Sequence, residues 1–257
     1  MIEGNILSIG LMIVVAVASG LVGTFALMRK MALAADAISH IALPGLGLAI
    51  IYKVDPLLGG GLALVLGAIF IWIIEKKTSI STETIVGVVF SASLAVGSLV
   101  TPDHELIEAL FGEVKALTLY QAGFGILAAL AVMAFILWNK NKLALSLVSE
   151  DLATVSGIKV SRLDLLFLLA FSLNVILGLQ FLGVLLMGSL IIVPAAIGRN
   201  LGYSLNSTMA ISVFAAIISV VGGYFLADVY NIAVGPTIIS VATGLFFVSF
   251  LRRYIGN

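Results

Sequence analysis

The sequence predicts an all-α membrane protein, a bundle of eight or nine transmembrane helices forming one domain over residues 1–257. Of the 257 residues, 61% are hydrophobic and 10% are charged, with a mean hydropathy of +1.24. A typical soluble domain is about 45–50% apolar and about 25% charged, so too few polar residues are present to cover a soluble fold. Apolar runs near the ~20 residues that a spanning helix needs recur along the chain. The residue-by-residue alternation of an outer-membrane barrel is absent.

The apolar runs define the candidate spans in order. They cover residues 6–28, 31–52, 57–74, 84–100, 117–138, 163–179, 181–197, 209–227 and 234–251. The linkers at Lys30 and Gln180 are very short, so the sequence is compatible with either eight or nine spans.

The chain has no cysteine and a formal net charge of zero. The lack of cysteine excludes disulfides and thiolate metal sites, and the zero net charge gives no indication of nucleic-acid binding.

Positive charge predicts the orientation. With nine spans and an outside N-terminus, every Lys and Arg except Lys53 and Lys115 lies on the inner side, which is eleven of the thirteen. The positive-inside rule expects this asymmetry, and it predicts a cytoplasmic C-terminus. No basic residue precedes the first run, whereas Arg29 and Lys30 follow it, so we interpret it as a retained span rather than a signal peptide.

Two segments fall outside the predicted spans. The outer loop 101–116 is acidic; its Asp103, His104 and Glu105 could collect cations or dock a partner, although a solvated loop is the simpler interpretation. The inner segment 139–164 is long, basic at both ends and contains a short amphipathic piece. No nucleotide-binding Gly-rich loop with a lysine is present, so we expect no ATP hydrolysis and no catalytic residues in this chain.

Asp36 and His40 are two ionisable residues within an apolar span. At about 1.5 Å per residue they lie roughly 10 and 16 Å beyond Arg29, near mid-bilayer. Because residues four apart share a helix face, both side chains can meet one ligand. An intramembrane aspartate costs about 2.5–3.5 kcal/mol and usually faces a cavity or a partner. Carboxylate and imidazole together suit zinc, manganese or iron.

Neighbouring residues belong to the same feature. Pro44 lacks an N–H, so the His40 carbonyl loses its helical hydrogen bond, while Gly45 loosens the turn and Ser39 flanks the pair. Helices broken in this way line ion pathways in transporters. Two alternatives remain open: polar contacts of Asp36 and His40 with each other or with Asn174, and a proton relay.

The stretch "MRKMALAADAISHIALPGLGLA" (28–49) resembles the signature of the ABC-3 family, the membrane permeases of high-affinity zinc, manganese and iron importers. Segments 83–100, 110–114, 151–160 and 181–201 agree in order, so the resemblance covers nearly the whole chain. The Asp-x-x-Ser-His-x-x-x-Pro-Gly element is the specific part. Ala35 departs from the glycine that the family commonly has before the aspartate.

The resemblance implies a type II ABC importer-like permease in the cell membrane. It implies a second permease copy, as a homodimer or with a close paralogue, two cytoplasmic ATPase subunits and an external metal-binding protein. It places Asp36 and His40 in the metal pathway, and it assigns Asp151, Ala153 and Gly157 to a cytoplasmic coupling segment that docks the ATPase. No cofactor is expected to be bound permanently: the metal is cargo, and ATP belongs to the partner subunit.

The predicted function is therefore import of zinc, manganese or iron, with the metal itself undetermined. A two-fold dimer would bring two Asp36–His40 pairs to one axis and provide up to four N/O ligands. The alternative is a proton-coupled secondary metal transporter or channel that uses the same pair. Such transporters often carry an internal repeat, and the Asp–His signature occurs once here.

Overall fold

A computed structural model provides the structure of the chain. It describes residues 2–101, 110, 112 and 117–255, with side chains except at 2–5, 33, 34 and 252–255. The regular structure among these residues is α-helix, as the sequence predicts. The helices are α1 Ile2–Met28, α2 Ala32–His40, α3 Ala42–Ile51, α4 Pro56–Lys77, α5 Thr82–Val100, α6 Leu119–Val148, α7 Glu150–Val155, α8 Val160–Leu201, α9 Leu205–Tyr230 and α10 Val234–Ile255.

The long helix α8 is two antiparallel helices joined by a reversal at Gly183. This glycine has φ 71° and ψ 176°, a conformation essentially restricted to glycine. Gly178 and Met187 would lie about 13.5 Å apart along a straight helix, yet a Cβ added to Gly178 would lie 2.1 Å from Met187 Sδ. The chain therefore folds back, three residues beyond the joint expected at Gln180.

This reversal bears on the number of membrane crossings. Seven of the described helices are long and apolar enough to span, and α8 is one of them. Counting its two halves separately gives eight crossings, and the shorter pair α2–α3 adds a ninth. Nine is the upper of the two predicted counts.

Local sequence explains where several helices begin. Asp55 Oδ1 accepts a hydrogen bond from Leu57 N at 2.8 Å, with Pro56 at the first helical position of α4. Ser81 caps α5, and Thr118 forms a capping box with Gln121 at the start of α6. These residues satisfy backbone N–H groups that have no partner within the helix.

The core of the bundle surrounds α8, which packs against α1, α2, α4, α9 and α10. Small residues allow the close approaches: a Cβ added to Gly23 would lie 1.9 Å from the Ile191 carbonyl oxygen, and one added to Gly45 would lie 2.1 Å from the Gly59 carbonyl oxygen. Backbones therefore touch, as is common between membrane helices. Helix α5 is the least buried of the long helices.

The two ends of the bundle differ. Arg29, Lys76, Lys140, Asp164 and Arg199 lie near one end, which we call the basic end. Helix α6 continues to Val148 there, ten residues past the predicted end of its span. Part of the predicted inner segment 139–164 is therefore the last turns of a long helix, because nothing in residues 139–148 interrupts helical hydrogen bonding. At the other end, the loop end, Thr101 packs on Gly47, and Gly112 packs on Gly183.

Candidate metal site

The site is built on the interrupted pair α2–α3. Helix α2 ends at His40, Ile41 forms a turn, and α3 begins at Ala42. The Ile41 N–H donates to the Ile38 carbonyl at 3.0 Å, one residue short of the α-helical partner. Pro44 follows in the first turn of α3, where the missing N–H is tolerated. The break therefore lies midway between Ala32 and Ile51, at the residue that follows the imidazole-bearing His40.

His40 is held firmly at this break. Its side chain is 6% exposed, and Nδ1 lies 3.0 Å from the backbone carbonyl oxygen of Asp36. The ring also meets Phe90 of α5 edge to face, with centroids 5.2 Å apart. A carbonyl accepts only from a protonated nitrogen, so this contact places the neutral ring's proton on Nδ1 and leaves the Nε2 lone pair for a ligand.

Asp36 has a different environment from His40. It lies one turn earlier on α2 and is exposed on the surface of the single chain, whereas Ala35 beside it is fully buried. Its backbone packs against the second half of α8: a Cβ added to Gly188 would lie 2.6 Å from Asp36 Cα and 3.0 Å from Oδ1. Asp36 thus has a fixed backbone and an exposed side chain, one carboxylate oxygen of which lies beside Gly188.

The contacts of these residues bear on the polar-contact alternative. Within the described part of the chain, the only ion pair found is Arg29–Asp164, so the Asp36 carboxylate and the His40 ring are not paired. Asn174 lies elsewhere: it is fully buried, and its Nδ2 donates to Ser19 Oγ at 3.0 Å. Asp36 and His40 therefore contact each other through the Asp36 backbone carbonyl and His40 Nδ1, and neither this contact nor Asn174 occupies the Asp36 carboxylate or His40 Nε2.

The flanking candidates contribute to structure around the pair. Ser39 is fully buried, and its hydroxyl donates to the Ala35 carbonyl at 3.1 Å. Gly45 lies in the α3–α4 contact, where its lack of a side chain allows the approach of Gly59. Pro44 is partly buried and lines an apolar groove between α3, α4 and α5. The sequence does not indicate that Phe90 contacts His40 or that Gly188 contacts Asp36, because α5 and α8 lie far along the chain from α2.

The donor set is incomplete in one chain. Asp36 and His40 supply a carboxylate and an imidazole, and the described residues contain no group of three or more His, Cys, Asp or Glu side chains able to hold a metal. First-row metal ions in proteins commonly have four or more ligands. The arrangement can hold such an ion only with donors from water or from another chain.

The predicted coupling residues form a compact unit at the basic end. Helix α7 is capped by Ser149, whose Oγ accepts from Leu152 N at 3.2 Å. Ala153 is fully buried, whereas Asp151 is exposed. Gly157 ends the unit with φ 80°, and Ile158 N donates to the Ala153 carbonyl. This is the short helix with a glycine cap that the sequence predicts.

The outer-loop candidates Asp103, His104 and Glu105 lie outside the described residues. They stay predictions.

Comparison with known proteins supplies the family. A model of the ABC 3 transport family matches residues 5–253. The zinc uptake membrane protein ZnuB of Buchnera aphidicola (Schizaphis graminum) is 30% identical over 225 residues, 85% of this chain and 86% of that protein. The manganese transport membrane protein MntC of Listeria monocytogenes is 30% identical over 93% of this chain and 87% of that protein. PsaBC from Streptococcus pneumoniae, solved with a Fab, superposes with a TM-score of 0.82 at 29% identity, covering 95% of this chain and 89% of that one. The chain belongs to the ABC 3 transport family.

Proposed function

We propose that this chain is the membrane permease of an ATP-driven importer of a divalent transition metal, and that Asp36 and His40 bind the ion in transit. Relatives named for zinc and manganese support these two ions as cargo. Membership of an ABC transport family favours an ATP-driven cycle over the proton-coupled alternative. ATP hydrolysis belongs to a separate subunit.

One observation carries the assignment of the site. An exposed carboxylate stands one turn from an imidazole whose Nδ1 is engaged, at the middle of an interrupted apolar helix. An intramembrane ionisable group that no partner neutralises is costly, and an engaged Nδ1 orients Nε2 as metal-binding histidines require. A divalent cation satisfies both side chains.

A second copy of the permease would complete the coordination. Asp36 is exposed in the single chain, and α5, whose Phe90 contacts His40, is the least buried long helix. A two-fold axis near this face would bring two carboxylates and two imidazoles together, four ligands in all. We infer that the ion binds between two permease copies and passes along their interface.

The basic end would then face the cytoplasm, with the N-terminus outside, as the positive-inside rule predicts. Helix α7 would contact the ATPase there. Leu152 and Val155 on α7 are 56% and 87% exposed, although this short helix lies outside the membrane spans. Exposed apolar side chains of this kind mark a protein contact, and buried Ala153 anchors the helix to the permease.

The experiment measures metal uptake in cells that lack other zinc and manganese importers. We expect His40→Ala and Asp36→Asn to lower uptake of ⁶⁵Zn or ⁵⁴Mn by at least about tenfold, since losing even an outer-sphere partner of a metal ligand costs about 10- to 100-fold. Asp228→Asn is the matched control, because Asp228 is exposed near the end of α9 and the chemical change is the same. The control should transport normally.

Membrane abundance of each variant is quantified in parallel. Normal uptake by His40→Ala at wild-type abundance would refute the proposed site. Uptake that persists when the partner ATPase is inactivated would refute the ATP-driven cycle and revive the proton-coupled alternative.

A further inference from the structure

A partly buried ion pair joins two distant parts of the chain at the basic end. Arg29 Nη1 lies 2.7 Å from Asp164 Oδ1, and the two side chains are 14% and 25% exposed. The Arg29 guanidinium also lies over the Phe167 ring, 4.6 Å from its centroid. By sequence, Arg29 is the basic residue at the inner end of a span, a position that needs no specific partner.

Arg29 belongs to the joint that leads into the metal-binding helix. Helix α1 ends at Met28, Lys30 has φ 59°, and Met31 N donates to the Ala26 carbonyl at 2.9 Å. Only the two residues of this hydrogen-bonded turn separate Arg29 from the start of α2 at Ala32. Any displacement of Arg29 is therefore passed directly to α2, which carries Asp36 seven residues later.

Asp164 belongs to the segment that follows α7. Helix α8 begins at Val160, five residues after α7 ends, and Leu163 N donates to the Lys159 carbonyl at 3.1 Å. The same stretch is bonded to α4, because Trp72 Nε1 donates to the Ser161 carbonyl at 2.7 Å. Movement of α7 therefore reaches Asp164 over a short, hydrogen-bonded distance.

A polar cavity separates α7 from the joint. It has a volume of about 190 Å³ and is lined by residues that include Arg29, Met31, Glu75, Glu150 and Asp164. Because this space is not filled by packed side chains, α7 does not push on the α1–α2 joint through direct contact there. The Arg29–Asp164 pair, supported by Phe167, is the ion pair that joins the start of α8 to this joint, within the wider packing of α8 against α1 and α2.

We propose that Arg29 and Asp164 form a tie that stays closed through the transport cycle and transmits movement of α7 to α2. The two are positioning residues: they hold α2 to α8 so that a change at the ATPase alters the position of Asp36 and His40. The proposal rests on the proposed function, since it assumes that α7 contacts the ATPase and that α2 binds the metal.

The test uses the assembled complex of permease, ATPase and metal-binding protein in proteoliposomes, with ⁶⁵Zn uptake and ATP hydrolysis measured together. We expect Arg29→Gln and Asp164→Asn to hydrolyse ATP while moving about 2- to 30-fold less zinc per ATP, the range of coupling changes that single residues produce. Zinc binding by the purified complex should be unchanged. Lys77→Gln, which removes an exposed positive charge at the same end, should stay coupled.

Cross-linking positions 29 and 164 tests whether the substitutions impair coupling itself or only the stability of the protein. The chain contains no cysteine, so the double variant Arg29→Cys with Asp164→Cys carries one unique thiol pair. We expect this variant to be uncoupled, and a short bifunctional thiol reagent to restore zinc moved per ATP. The single variant Arg29→Cys treated with the same reagent should not recover.

Three outcomes would overturn the tie: wild-type coupling in Arg29→Gln and Asp164→Asn, failure of cross-linking to restore transport, or loss of zinc binding together with loss of coupling. Failure of the proposed function is distinguishable, because it would appear as normal uptake by His40→Ala.

Discussion

Gly188 offers a direct test of how the fold positions the metal site. The substitution Gly188→Ala adds one methyl group at the point where α8 meets the backbone of Asp36. That Cβ would lie 2.6 Å from Asp36 Cα, whereas ordinary contacts begin at 3.4 Å. The two backbones must therefore separate by about 0.8 Å, because the obstructing atom is main chain and has no rotamer to change.

Two consequences follow from this separation. Overpacking of this kind costs about 1–3 kcal/mol of stability. Misplacement of a reacting group by about 1 Å can cost about 100-fold in function, so we expect zinc affinity and zinc uptake to fall by about 10- to 100-fold. The loss in function should exceed what reduced abundance explains.

The assay compares zinc binding of the purified complex, by competition with a chromogenic chelator, with uptake in cells and with thermal stability. Gly123→Ala is the neutral control, since no heavy atom lies within 4 Å of its added Cβ. Gly223→Ala is the overpacking control, because its Cβ would lie 2.4 Å from Ile238 Cα, in the contact between α9 and α10 rather than between α2 and α8. Wild-type zinc affinity in a folded Gly188→Ala protein would refute the reasoning that α8 fixes Asp36.

Two further predictions concern stability. Gly183→Ala forces a side chain into a conformation that costs about 1–3 kcal/mol and places its Cβ 2.3 Å from the Leu110 carbonyl oxygen; we expect a marked drop in thermal stability, and an unchanged melting temperature would contradict the reversal. Thr118→Ala removes the capping box of α6 and should cost about 0.5–2 kcal/mol, whereas Thr118→Ser should retain most of it. Equal melting temperatures for these two Thr118 variants would show that the cap contributes nothing.

The sequence by itself determined the class of protein and the pair of residues proposed to bind metal. Composition and run length are local properties, so they predicted a helical membrane bundle whose spans match the described helices within a few residues at most ends. The spacing of Asp36 and His40 determined that they share one face, because helical periodicity needs no knowledge of the rest of the chain. The glycine-capped helix around Ala153 was predictable for the same reason.

The tertiary structure decided what depends on residues far apart in the chain. The reversal occurs at Gly183 rather than Gln180 because only glycine tolerates that backbone conformation. Contacts of Phe90 with His40, of Gly188 with Asp36 and of Arg29 with Asp164 join separate helices. No local sequence pattern specifies such pairs, because the contacts form only when the helices come together in a close-packed bundle. The sequence thus supplied the ligands, and the packing of α2 against α8 determined where they are held.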